Sequence, residues 1–216
     1  MDAALNYPLY WAMKDAFIWG GTMRDIANMY RDEKYRFGDG LHLFGNFADN
    51  HDQARFLCDK DSWTLLKNYI MLVLTMEGIP IVYYGTEQGY DGCADPNNRE
   101  SLYPNFDTNH HLYLFIQRTH QFRDLLGANF LNADQIERWQ DDSFFAFTRH
   151  DMLVCSTNIG DNNNLQRTIT YHDYTVGTVL VNIYDENDRV TVDTSGITIN
   201  LISGEGKIYL PESYMG

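Results

Sequence analysis

The sequence is short of cysteine, of basic charge and of long apolar runs, and each shortage closes off a class of function. Cys58, Cys93 and Cys155 are its only 3 cysteines. So few and so scattered, they predict neither a disulfide framework nor a C-x-x-C metal site. Lys and Arg number 16 against 30 Asp and Glu, a formal net charge of −14, and no stretch gathers the basic residues together. DNA or RNA would be repelled by such a chain rather than steered to it, so no nucleic-acid partner is expected. The longest apolar run, around residues 69–76, is too short to span a membrane, and no membrane partner is expected either. The opening residues 1–8 lack a charged start followed by an apolar stretch, so they read as no signal peptide. Internal repeats and low-complexity tracts are also missing.

Aromatic side chains are plentiful. Tyr, Phe and Trp make up 14% of the chain, with 15 Tyr, 12 Phe and 4 Trp. Flat apolar rings with a polar handle suit sugar binding, although any single ring fills a core equally well. A length of 216 residues suffices for one large domain or two modest ones with a real core.

The first two thirds alternate helix-like and strand-like segments. Leu9–Phe17 is amphipathic, and Thr22-x-x-Asp25 reads as a capping box opening a helix that runs through Met29. Leu41–Ala48 reads as a strand leading into Asp49-Asn50-His51-Asp52. Ser62 is placed to cap a helix from Trp63 to Met76, apolar on nearly every side and hence expected to be buried. Residues 78–85, apolar and bounded by glycines, predict a strand covered on both faces as in a parallel sheet, with Pro80 near its start. A helix over His110–Leu126 follows and is expected to stop at Gly127. Beyond it, short β-rich runs (Phe144–Arg149, Leu153–Asn158, Arg167–Tyr171, Thr178–Ile183, Ile197–Ile202, Lys207–Leu210) alternate with turn clusters at 160–164 and 184–189. The expected organisation is α/β over residues 1–127 and all-β over 128–216, the latter a small antiparallel β-sandwich.

Ligands of α/β folds gather at the carboxyl ends of strands. Two such ends are polar here. Asp49-Asn50-His51-Asp52, followed by Arg55, is either a turn capping the next helix or a carboxylate and an imidazole aimed into a pocket. Glu87 ends the second strand, with Asp91, Asp95, Arg99 and Glu100 in the loop beyond. Asp52 and Glu87 on neighbouring strands invite pairing as the two carboxylates of a glycosidase.

These residues resemble the α-amylase superfamily of glycoside hydrolases, which changes that pairing. Phe47-Ala48-Asp49-Asn50-His51-Asp52 resembles the conserved segment at the end of barrel strand seven. Residues 78–88 resemble strand eight, Asp95-Pro96-Asn97-Asn98-Arg99-Glu100 the substrate loop after it, and residues 1–10 the stretch after strand six in the fungal-type enzymes. The motifs follow in register over roughly the first 120 residues. The resemblance implies the C-terminal part of a (β/α)8 TIM barrel followed by the β-sandwich domain. It implies retaining hydrolysis of α-1,4-glucosidic bonds in starch or related glucans.

By that resemblance Asp52 is the catalytic carboxylate that stabilises the transition state, not the nucleophile. His51 donates to hydroxyls of the same sugar, Asp95 and Arg99 grip a sugar further along the non-reducing side, and Glu87 is structural. The family's nucleophile motif, Gly-x-Arg-x-Asp, has no counterpart: Gly21-Thr22-Met23-Arg24-Asp25 has the wrong spacing. Nor does its acid/base Glu. The expectation is a segment that starts beyond both and is inactive as an isolated chain, its partner being the missing N-terminal half of the barrel. No metal ligand or cofactor is expected among these residues; the family's calcium is held by residues upstream. The family is usually secreted or lumenal, and any targeting segment would also lie upstream. The motifs are shared with cyclodextrin-forming α-glucan transglycosylases. Asn6-Tyr7-Pro8 and the short C-terminal region favour hydrolysis. A noncatalytic carbohydrate-binding remnant is the third reading.

Overall fold

The computed structural model describes residues 3–103 and 105–215. Met1 and Asp2, which open the stretch resembling the segment after strand six, lie outside the described residues, as does Gly216.

Strand β1 (Ala4–Leu5) leads through Asn6 into helix α1 (Tyr7–Lys14). Asn6 caps that helix by accepting from the Leu9 N–H at 3.2 Å, and Pro8 sits in the first turn, where a missing N–H costs nothing. A π-helical turn, Asp15–Trp19, ends at Gly20. Helix α2 (Met23–Phe37) opens on the predicted Thr22–Asp25 capping box. The expected strand at Leu41–Ala48 is shorter than predicted. Residues 38–43 form a 3-10 helix, and only Phe44–Phe47 is strand (β2).

After the short helix α3 (Phe56–Asp59), Ser62 caps α4 (Trp63–Thr75) by accepting from the Leu65 N–H. Helix α4 is buried along most of its length, as its all-round apolar sequence predicts. Strand β3 (Ile79–Ile81) then pairs parallel to β2, which pairs parallel to β1 on its other side. The sheet order is β1-β2-β3.

The expectation that this strand is covered on both faces fails. Ile79 and Val82 are exposed and Ile81 is only half-buried. The reason is position: β3 is an outer strand of a three-stranded sheet, which is also where a proline is tolerated. Helix α5 (His111–Leu131) is broken at Gly127, where the sequence predicts its end. That residue takes φ 54°, kinks the helix, and a further turn follows.

The remaining strands are antiparallel: β4 (Gln135–Gln140), β5 (Phe144–Arg149), β6 (Met152–Thr157), β7 (Leu165–Ile169), β8 (Val179–Asn182), β9 (Asp185–Thr191), β10 (Ile197–Leu201) and β11 (Lys207–Pro211). Six of them form a sheet in the order β4-β5-β6-β11-β8-β9, and β10 pairs with β7. Residues 184–189, expected as a turn, mostly belong to β9. Its sequence is polar because it is an outer strand with little buried surface.

Every residue of β5 and β6 is buried, because the six-stranded sheet is covered on both faces. Phe145, Phe147, Val154, Ile208 and Leu210 join one core with the helices; Phe144, Ala146, Leu153, Cys155 and Tyr209 join another with Ile169, Ile197 and Ile199 of the β7–β10 pair. Asn68 of α4 stitches helix to sheet, accepting from Ser156 Oγ and Thr157 N–H at 3.0 Å and donating to the Gly204 carbonyl at 2.9 Å.

Candidate functional site

The carboxyl end of the middle strand, β2, runs straight into Ala48 and Asp49, both buried, and then surfaces at His51 and Asp52. The transition is fixed by a buried guanidinium. Arg55 is 0% exposed and donates to the Asn98 carbonyl at 3.1 Å and the Tyr84 carbonyl at 2.8 Å. Its charge faces Asp49 Oδ2 at 3.6 Å and Glu100 at 3.8 Å, and its plane lies 4.1 Å from the Tyr83 ring centroid. Asp49 also accepts from Thr86 Oγ1 at 2.7 Å. Burial pushes the Asp49 carboxyl up to about 6, against the pull of Thr86 and Arg55.

Asn98 completes the frame. Its amide is buried and donates to the carbonyls of His51 at 3.1 Å and Gln53 at 3.0 Å. The loop after β3 is thereby fastened to the loop after β2. A second fastening corrects the sequence expectation about cysteine: Cys58 and Cys93 form a disulfide with Cα atoms 5.2 Å apart. Nothing in a spacing of 35 residues announces it. The fold brings α3 against the loop, where the Arg55 N–H donates to the Gly92 carbonyl at 3.0 Å.

On this frame the four residues picked out from the sequence come together. Asp52 Oδ1 lies 3.4 Å from His51 Nε2 and 3.9 Å from Arg99 Nη2. Arg99 Nε lies 3.5 Å from Asp95 Oδ1 and donates to the His51 carbonyl at 3.2 Å. The Asp52 N–H donates to Asn50 Oδ1 at 2.9 Å, and Asn50 in turn donates to the Tyr7 hydroxyl at 3.1 Å. The Asp52 side chain is 58% exposed and that of Asp95 64%. Donors and acceptors alternate along an open surface, the chemistry that recognises polyhydroxyl ligands.

Glu87 stands apart from this group. It sits in the 3-10 turn Thr86–Gln88, where its carbonyl meets His110 Nδ1 at 3.0 Å, and among the described residues its carboxylate has no ion-pair partner. Sequence reading missed the roles of Arg55, Asn98 and Thr86, whose side chains are buried. The signal was their place inside the two motifs that carry the exposed residues.

Among the described residues, His42, Glu77 and Asp134 bring metal-type donor atoms within 4.8 Å of one another. They lie at the other end of the strands, since Glu77 directly precedes Gly78 and β3. The ammonium of Lys34 already bridges Glu77 at 2.7 Å and Asp134 at 2.8 Å, and Tyr30 donates to Glu77 at 2.7 Å. Burial disfavours the Lys34 charge, but its bonds to Asp134 and Glu77 outweigh this and raise it. The site that a cation would take is thus filled by a side chain.

Comparison with known proteins agrees with the geometry. The model of the α-amylase catalytic domain matches residues 2–167. A β/α-amylase of Paenibacillus polymyxa is 38% identical over 97% of this chain and 18% of its own length. α-Amylase 1 of Schwanniomyces occidentalis is 27% identical over 100% of this chain and 44% of its own. The solved α-amylase of Malbranchea cinnamomea superposes with a TM-score of 0.94 at 27% identity, covering 100% of this chain and 47% of that one. The chain spans less than half the length of these relatives. With a family match over most of its residues and a shared fold from end to end, this chain belongs to the α-amylase family of glycoside hydrolases.

Proposed function

We propose that these residues are the part of a retaining α-amylase that supplies its transition-state carboxylate, acting on α-1,4-glucans such as starch or maltooligosaccharides. The observation that carries this reading is Asp52, exposed at the carboxyl end of β2 between two cationic or protonatable groups and set on a buried frame. An oxocarbenium-like transition state builds positive charge on the sugar ring, and a fixed carboxylate beside it is worth most once substrate excludes water. His51 donates to hydroxyls of that sugar. Arg99 donates and Asp95 accepts at the neighbouring one.

Retaining hydrolysis also needs a nucleophile and an acid/base carboxyl. Gly-x-Arg-x-Asp is absent from the 216 residues, so both groups are assigned to sequence outside them. Residues 1–127 are then part of a (β/α)8 barrel and 128–216 the β-sandwich domain that follows it. The apolar, exposed Leu5 and Ile79 on the outer strands β1 and β3, with Val82 just beyond β3, suit docking of the rest of the barrel. Calcium, where the family holds it, is assigned to residues outside this sequence as well.

Product analysis tests the reading. The 216-residue chain alone should release no reducing ends from maltoheptaose. An active polypeptide carrying it should release linear maltooligosaccharides from soluble starch. Cyclic dextrins as the main product would replace hydrolysis by transglycosylation. Efficient cleavage by the isolated chain would contradict the division of carboxylates.

A further inference from the structure

We infer that the cleft between Trp63 and the Phe115–Tyr184 stack is a second, noncatalytic binding site for an α-glucan chain. The ligand class rests on the proposed function; the site itself rests on geometry away from Asp52. The cleft has a volume of about 260 Å³ and lies where the first turns of α4 and α5 meet β8, β9 and β11 of the antiparallel sheet. A second depression of about 550 Å³ shares Lys67, Phe115 and Tyr184 with it and continues along α5. Together they make a groove, a shape that suits a chain of sugars better than a single ring.

Its walls are aromatic and held still. Trp63 is 40% exposed yet wedged in place. A Cβ on Gly89 would stand 2.4 Å from the indole, so only glycine there lets the backbone approach the ring. His111 meets the indole edge-on, 4.9 Å between centroids. Opposite, Phe115 and Tyr184 stack at 4.4 Å with 18° between their planes, and the Tyr184 hydroxyl is fixed by Thr119 Oγ1 at 2.7 Å. Rigid rings lose little entropy when a pyranose settles on them.

The rim offers hydrogen-bonding groups that the protein does not use. Among the described residues neither Lys67 nor Glu205 has an ion-pair partner, and the indole N–H of Trp63 donates to nothing. Asp185 also lines the groove, although its Oδ1 already accepts from the Asn187 N–H at 3.0 Å and the Asn187 amide at 3.1 Å. Lys207 is already paired with Asp188 at 2.6 Å, which leaves Lys67 beside the carboxylates of Asp185 and Glu205 along the lining, so the groove disfavours an anionic ligand and accepts an uncharged polyhydroxyl one.

The test is calorimetric titration of the 216-residue chain with maltoheptaose, alongside Trp63→Ala, the surface double variant Lys67→Ala/Glu205→Ala, and Arg99→Ala at the other site. The expected result is that Arg99→Ala keeps a binding event which Trp63→Ala weakens by about tenfold or more, and which the double variant also weakens. The double variant keeps the test valid if Trp63→Ala does not fold. Unchanged binding in a folded Trp63→Ala and in the double variant would overturn the inference. So would loss of all binding in Arg99→Ala, which would leave the proposed function standing. A chain that binds no maltoheptaose at millimolar concentration overturns it too, while the proposed function remains testable through Asp52 in an active enzyme.

Discussion

Two buried arginines organise the two ends of this molecule, and they do so with different partners. Arg55, at the carboxyl end of the parallel strands, faces a buried carboxylate, Asp49, together with two carbonyls and the Tyr83 ring. Arg149 is 1% exposed, on β5. It donates to the carbonyls of Ala133, Leu131 and Met76 and lies 4.5 Å from the Phe130 ring, with no carboxylate in ion-pair contact among the described residues. Arg149 locks the ends of α4 and α5 against the antiparallel sheet and holds none of the candidate site residues. Arg55 and Asn98 instead hold the loops from which His51, Asp52 and Arg99 project. The same side chain serves stability alone in one place and stability plus presentation of a surface in the other.

The largest effects should come from removing these cations. Arg55→Met and Arg149→Met are each expected to cost about 3–5 kcal/mol, through an unpaired buried carboxylate in the first case and orphaned carbonyls in the second. Denaturant unfolding measures both. Only Arg55→Met should also abolish maltooligosaccharide binding at the Asp52 end under conditions where the variant remains folded. Equal loss of binding in both variants would erase the distinction. Next is the disulfide. Closing a loop of 35 residues is worth about 4 kcal/mol in the chain-entropy picture. Cys58→Ser should therefore lower the unfolding midpoint by an amount that dithiothreitol reproduces in the unmutated chain.

The two regions also differ in how they treat carboxylates, which gives a smaller, pH-dependent effect. Burial raises Asp49 to about 6 and Glu33 to about 7, from 3.8 and 4.5. In the antiparallel part, burial would raise Asp141 too, but bonds from Arg167, the Trp139 indole and the Ser143 N–H hold it down at about 2. For Asp49 the folded state binds the proton more tightly than the unfolded chain. Its contribution thus falls as pH rises from about 4 to 6. Asp141 works the other way, losing its contribution as pH drops from about 4 to 2. Asp49→Asn should flatten stability between pH 4 and 6 and leave the acid limb unchanged. A slope unaffected by that substitution would show that Asp49 does not carry it.

What could be read from the sequence divides along the same line. Local signals survived: the Thr22–Asp25 box, the Ser62 cap, the all-round apolar α4 and the left-handed Gly127 each declare themselves within a few residues. The exposed residues of the candidate site could be picked out because they sit inside contiguous motifs, and the fold brings them together. Long-range facts were not. The Cys58–Cys93 bridge, the meeting of Asn98 with the His51 carbonyl, and the open face of β3 depend on which loop lies beside which. Polar β9 and the two-residue β1 carry too little hydrophobic pattern to announce a strand.

The central claim is that Asp52 serves the transition state rather than substrate binding or the fold. In an active polypeptide that carries these residues, Asp52→Asn should lower kcat on maltoheptaose by about 10²- to 10³-fold, with KM changed far less and thermal unfolding unchanged, since the side chain is exposed. Retention of near-normal kcat in that variant would contradict the account.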